Sequence, residues 1–341
     1  MQVLTDKQFV EFHMIRKFGV KVKKLNIDLY KTMYLIRESE IAIQKAYPDD
    51  EMKTPMHMSM GEEAIVTGVI KALAPADQVL GTYRSHALYL AKTMETDRFF
   101  AEMFGKTKGC ARGKAGSMHL SALQNGLLCC SAIVGSSIPV AMGAAFANKY
   151  QQNGKRVAVF FGDGAMDEGV FWETINFAGL HGLPILFICE DNGFAVHTPR
   201  HHRQSFKSDR ELFGAFGINT FEENTTDPEI IYKTTANALL CMQETRQPCF
   251  LRFHYYRYLE HVGINEDFQA GYRRREEFEV WLRKDPLRLQ REKLVRTGMA
   301  EADVKTLEDA IRQQVAASIQ FARNACYPEP HELHQGVLSC A

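Results

Sequence analysis

The residues best placed to do chemistry stand at the ends of two apolar runs. Arg156-Val157-Ala158-Val159-Phe160-Phe161 stops at Gly162-Asp163-Gly164, and a second run, Ile185 to Cys189, ends in Glu190-Asp191-Asn192. A continuous apolar run without alternation is expected of a strand buried on both faces of a parallel sheet. Between the two, Phe171, Ile175, Phe177 and Leu180 fall at helical spacing, so the stretch reads as strand, helix, strand. Open α/β sheets bind ligands just beyond the carboxyl ends of their strands, which is where Asp163 and Asn192 both stand. A carboxylate, an amide oxygen and a main-chain carbonyl are hard donors, suited to magnesium that also takes oxygens from a bound diphosphate. Gly-Asp-Gly alone is common turn punctuation; the strand context and the asparagine favour the site.

The elements that must position these residues follow from pattern. Residues 25–47, with Leu25, Leu29, Met33, Leu35, Ile36, Ile41 and Ile43, predict an amphipathic helix that ends before Pro48. From about 60 to 255, apolar runs bounded by glycine alternate with helical patterns: Val79-Leu80, Val157 to Phe161, Ile185 to Cys189 and Phe250 to Phe253. This predicts an α/β fold with a doubly wound, mostly parallel sheet flanked by helices. Val304, Leu307, Ile311, Val315, Ile319 and Ala322 predict a helix near the end of the chain, laid on the core or on a neighbour. Three regions result: a helical segment over 1–50, a ligand-binding domain over 51–260, and a loop and helical segment over 261–341.

Gly162-Asp163-Gly164 through Asn192 resembles the thiamine-diphosphate fingerprint, which begins with Gly-Asp-Gly and closes with a pair of asparagines. The first asparagine is Asp191 here; the second, the metal ligand, is Asn192. The resemblance implies a thiamine-diphosphate-binding fold with Mg2+ held by Asp163, Asn192 and the main-chain oxygen of Phe194, and Gly164 and Ala165 beside the cofactor. It extends from about residue 28 to 325 and is closest to the α subunits of pyruvate, branched-chain 2-oxo acid and acetoin dehydrogenases.

Other segments agree with that family. Thr82-Tyr83-Arg84-Ser85-His86 is similar to a stretch whose Tyr and Arg hold the diphosphate, and Arg84 suits the task because its fork donates to two phosphate oxygens at once. Lys106 to His119 resembles the family's glycine-rich segment ending in Gly-Ser-Met-His. It is not a P-loop: three residues, not four, separate Gly109 from Gly113, and Ala115 follows Lys114. Ala132-Ile133-Val134-Gly135 matches the loop whose backbone meets the pyrimidine ring, with Ala132 where close relatives have Gly and Val134 beside the cofactor. Ile138 to Ala147 has small side chains that permit close helix packing. His57 stands where the family has a histidine near the substrate, and a structural role is the alternative. Glu173 corresponds to an acid in the family's tunnel between paired sites, whereas its neighbouring acid is Val170 here, which weakens a proton relay. Tyr255 to His261 resembles a segment whose last histidine contacts the diphosphate and aids acyl transfer to lipoate. His261 keeps that position, and the near-neutral pKa of histidine suits proton transfer. Leu259, Glu260 and Val262 depart from the pattern, and Val262 removes a serine that some relatives phosphorylate. Residues 193–210 form a polar, basic stretch with His197, His201, His202 and Arg203, near the active-site entrance in relatives.

Composition sets the outer bounds. Forty-one Lys and Arg balance forty-one Asp and Glu in 341 residues, so no net charge draws the chain to nucleic acid or an anionic membrane. The apolar runs are far shorter than the roughly 20 residues of a membrane span, and a cytoplasmic protein is expected. Eight irregularly spaced cysteines, two of them adjacent as Cys129-Cys130, read as reduced thiols. The resemblance implies oxidative decarboxylation of a 2-oxo acid, or cleavage of acetoin, with acyl transfer to a lipoyl acyltransferase core. It also implies a β subunit, supplying the glutamate that activates the cofactor, in an α2β2 heterotetramer. A split transketolase-like carboligase and a non-catalytic regulatory subunit remain alternatives.

Overall fold

In the computed structural model, residues 6–335 are described, with side chains from Lys23 onward; residues 1–5 and 336–341, within the two terminal segments expected above, lie outside them. The main sheet consists of β1 (Gln78–Thr82), β2 (Leu127–Ser131), β3 (Val157–Gly162), β4 (Ile185–Asp191), β7 (Asn219–Glu223) and β8 (Cys249–His254). A separate antiparallel hairpin pairs β5 (Phe194–Ala195) with β6 (Thr198–Pro199). The main sheet runs in the order β2-β1-β3-β4-β8-β7, with every neighbouring pair parallel.

Both faces of the sheet are covered, which explains the unbroken apolar runs. On one face, Ala158, Phe160, Leu186, Ile188, Cys249, Leu251 and Phe253 join a core with α1 (Asp6–Ala46), α2 (Glu63–Ala72), α3 (His86–Thr93), α4 (Asp97–Met103) and their neighbours. On the other, Val157, Val159, Phe161, Ile185, Phe187, Cys189 and Phe250 pack with α5 (Ser137–Gln151), α6 (Gly169–Leu180) and α7 (Asp209–Gly214). The doubly wound α/β fold expected from the sequence is therefore the one observed. Helix α8 (Pro228–Thr245) packs on α2; its N-cap Asp227 accepts a hydrogen bond from the Glu229 amide, with Pro228 at the first helical position.

Helix α1 begins well before the expected residue 25 and ends at Ala46, ahead of the turn containing Pro48. After α9 (Arg275–Leu282) and α10 (Pro286–Arg296), α11 (Glu301–Asn324) lies on α4 and α1 and buries Val304, Ile311, Val315 and Ala322. Strands β2 and β7 carried no clear apolar run and form the two sheet edges. Helix α5 buries Ile138, Ala141 and Ala145 but leaves Val140, Phe146 and Tyr150 exposed, so only one of its faces belongs to the core.

Candidate active site

The strand order reverses between β1 and β3: the chain leaves β1 for the β2 edge and returns on the opposite side of β1. Such a switch point opens a crevice beyond the carboxyl ends of the two strands. Thr82-Tyr83-Arg84 follows β1, Gly162-Asp163-Gly164 closes β3, Asp191 to Phe194 closes β4, and Tyr255 to His261 follows β8. A cavity of about 270 Å³ sits there, lined among others by Tyr83, Arg84, Val134, Gly164, Ala165, Asn192, Phe194 and His261. Of the sequence-derived residues, Ala132, Asp163 and His57 do not line it directly. Asp163 and His57 lie buried behind its wall.

Asp163 is fully buried; its Oδ2 accepts a hydrogen bond from Arg203, and its Oδ1 has no partner. Burial first, and then the charge of Asp191, push its carboxyl up to about 6 against the opposing pull of Arg203. Asn192 is oriented at both ends: its Oδ1 accepts from the Phe194 amide at 3.0 Å and its Nδ2 donates to the Tyr255 hydroxyl at 3.1 Å. The departure at Asp191 has a local explanation. Its Oδ1 accepts from the Gly193 amide at 2.8 Å, and its Oδ2 accepts from the wholly buried Arg252 at 2.5 Å and from Arg200 at 3.2 Å. Arg252 also grips Asp209, so two arginines and two aspartates balance under the site.

Arg84 binds the walls together. Its Nη1 donates to the carbonyl of Met58 at 2.6 Å and its Nη2 to the carbonyl of His261 at 3.0 Å, leaving further N–H groups for an anion. His57 lies tilted against Tyr83 with ring centroids 4.4 Å apart and meets His261 edge-on at 5.5 Å. The near-neutral pKa expected of His261 is not what this environment gives. Burial, then the charges of Arg84 and Arg257, push its imidazole down to about 3, and burial and Arg84 do the same for His57. Both rings are neutral near pH 7.

Two buried acids lining the cavity had no role in the sequence reading. Neither oxygen of the buried Glu62 makes a well-formed hydrogen bond, although the Ser59 hydroxyl and Arg84 ease its charge; burial pushes its carboxyl up to about 8. Burial and Glu62 push Glu190 up as well. Glu62 is seated by Gly61, whose φ of +106° and distance of 2.0 Å from an added Cβ to the Tyr256 carbonyl exclude a side chain. Glu173, by contrast, is exposed on α6.

The glycine-rich segment does hold an anion, but an internal one. The buried Glu102 carboxylate accepts from the amides of Ala111 (2.8 Å), Gly113 (3.0 Å), Ala115 (2.7 Å) and Gly116 (3.1 Å). Those N–H groups are thereby occupied, and the segment is a scaffold. Ser117 at its end bonds His86 Nε2 at 2.7 Å, and His86 Nδ1 bonds Glu40 of α1 at 2.6 Å, tying the segment to the helix that follows Arg84.

Residues 31–331 match the family described as dehydrogenase E1 component. The chain belongs to that family. Among the proteins it is similar to are several named pyruvate dehydrogenase E1 component subunit alpha. That of Rickettsia bellii is 32% identical over 315 residues, covering 92% of this chain and 95% of the relative. That of Zymomonas mobilis is 32% identical over 314 residues, 92% and 88% of the two chains. The chloroplastic alpha-3 form of Arabidopsis thaliana is 31% identical over 327 residues, 93% and 75%. The family assigns this chain to the α subunits of thiamine-diphosphate-dependent 2-oxo acid dehydrogenases, oxidoreductases that pair with a β subunit. Among the described residues no helix is long and apolar enough to cross a membrane.

Proposed function

We propose that this chain holds the diphosphate half of thiamine diphosphate together with one Mg2+, and acts with its β subunit on a small 2-oxo acid, passing the acyl group to a lipoyl acceptor. The observation that carries the metal reading is the unpartnered Oδ1 of Asp163. A buried carboxylate oxygen left without a partner disfavours folding, and its presence at a sheet switch point beside Asn192 supports a hard cation as the missing partner. Asp163, Asn192 and the Phe194 carbonyl would hold that cation. Among the described residues no three acidic, histidine or cysteine side chains converge on one point, so the remaining oxygens would come from the diphosphate.

Bound there, the cofactor supplies a carbon nucleophile and an electron sink for decarboxylation. The chain's own residues bind, orient and exclude water. Tyr83, Arg84, Gly164 and Ala165 would border the diphosphate, and the backbone at Ala132 and Val134 the pyrimidine. His57 lies tilted against Tyr83 and His261 meets it edge-on; both are neutral, and a bound anionic diphosphate that raises their pKa would let each accept a proton, with His57 Nδ1 buried and unpartnered. The β subunit would complete the site in an α2β2 assembly. The apolar surface left open from Ile133 and Val134 along Val140, Phe146 and Tyr150 supports that arrangement.

Pyruvate is the first substrate to test, because the similar proteins are named for it. The chain would be co-produced with its β subunit and supplied with thiamine diphosphate, Mg2+, a lipoyl domain and, in turn, pyruvate, branched-chain 2-oxo acids and acetoin. Acylation of the lipoyl domain by a 2-oxo acid is expected. A folded heteromer that acts on none of these substrates overturns the proposal, and turnover indifferent to the lipoyl domain points to a carboligase instead.

A further inference from the structure

We infer that Arg203 is the positioning residue for the metal carboxylate, clamping Oδ2 of Asp163 so that Oδ1 is the oxygen left for the cation. This rests on the metal reading proposed above. The two oxygens of Asp163 are unlike: Oδ2 accepts from Arg203 Nη2, and Oδ1, equally buried, meets no donor. A carboxylate on a short turn can rotate about its terminal torsion, which is broad and two-fold. A clamp on one oxygen removes that freedom. The guanidinium is itself fixed on three sides, with Nη1 on Asp167, Nε on the Thr198 carbonyl at 3.1 Å and Nη2 on Asp163.

The next residue extends the same grip to the main chain. Gln204 Nε2 donates to the Asp163 carbonyl at 3.0 Å and to Asp167 Oδ1 at 2.9 Å. The segment that carries both residues is closely seated, since a Cβ added at Gly164 would stand 2.8 Å from the Ala195 Cβ. Val196, in the turn between β5 and β6, takes a φ of +55°, an unfavourable value for a β-branched residue that persists only where surroundings over-determine it. Arg203 thus differs from its neighbours His201 and His202, which are exposed. Planar, two-pronged donation between Asp163 and Asp167 is a task for arginine rather than lysine.

The test uses the chain assembled with its β subunit and measures two affinities by calorimetry: MgCl2 at saturating thiamine diphosphate, and thiamine diphosphate at saturating MgCl2. Arg203→Gln is expected to weaken Mg2+ binding by roughly ten- to hundredfold, the range for lost outer partners of metal ligands, while thiamine diphosphate affinity at saturating metal stays near wild type. Arg203→Lys should recover part of the loss, and also serves if Arg203→Gln does not fold. A merely structural role would not split the two affinities in this way. Unchanged Mg2+ affinity in Arg203→Gln overturns the inference, and tighter binding overturns it in favour of Arg203 as a competitor for the cation's place. Absence of any Mg2+-dependent binding in the folded wild-type heteromer overturns the metal reading itself.

Discussion

Replacing Asp163 with asparagine should stabilise the unloaded chain while abolishing its capacity for a cation. The structure holds this carboxyl in a place hostile to charge, raising its pKa from 3.8 to about 6 through burial and the charge of Asp191. Because the folded state binds the proton more tightly than the unfolded chain, the group favours the fold below pH 3.8. It loses that advantage as pH rises, and above 6 the advantage is gone, which counted from the protonated state is a penalty of the same size on folding. At about 1.36 kcal/mol per pKa unit, the penalty near neutral pH is about 3 kcal/mol. The side-chain amide of Asp163→Asn would lack the titration, and Arg203 would keep Asp167 and the Thr198 carbonyl as partners. Urea unfolding of both full chains between pH 4 and 8 isolates the effect as a difference, cancelling the other titrating groups. The variant's advantage should be small at pH 4 and grow to about 3 kcal/mol by pH 7. A difference that is flat with pH, or that favours wild type at neutral pH, would refute the reasoning that Asp163 is an unmet buried charge.

Glu102→Gln keeps one acceptor oxygen but turns an amide donor toward two of the four N–H groups now satisfied. Unfolding should show a loss of about 3 kcal/mol, from roughly 1–3 kcal/mol per buried unsatisfied donor, with faster trypsin cleavage between Lys106 and Lys114; unchanged stability contradicts the scaffold role. Arg252→Met takes the buried arginine from Asp191 and Asp209 and leaves Arg200 as their remaining arginine partner, and should lose about 3 kcal/mol in denaturant unfolding, part of it recovered by Asp191→Asn in the same chain. His261 should remain neutral in NMR titrations of the unloaded protein down to about pH 4, because its pKa is pushed to about 3. An anionic diphosphate should move that midpoint upward, and a midpoint near the usual 6.5 without ligand speaks against the buried, arginine-flanked environment.

What could be read from the sequence was what periodicity and punctuation record. The central strands β3, β4 and β8 were legible because burial on both faces leaves an unbroken apolar run. Strand β7, Asn219–Glu223, was not, because an edge strand that is half exposed carries polar residues. Asp163 and Asn192 were legible as residues just past strand ends. Arg203 was visible only as one member of a basic stretch, since nothing in spacing shows that it turns inward while His201 and His202 face out. Glu62 and Glu190 were passed over for a similar reason: a carboxyl's unmet hydrogen bonds exist only once the fold surrounds it. The spacing of the glycine-rich segment showed only that it is not a P-loop, and gave no sign that it cradles an anion. That its anion is Glu102 is a tertiary fact.

The central claim is that Asp163, Asn192 and Arg84 converge to hold thiamine diphosphate through a divalent cation. Calorimetric titration of thiamine diphosphate into the chain assembled with its β subunit, with and without MgCl2, tests it most directly, beside Asp163→Ala. Saturable binding that requires Mg2+ and disappears in the variant is the predicted result. Binding that ignores Mg2+ or survives in Asp163→Ala, or no binding to a well-folded heteromer, would contradict it.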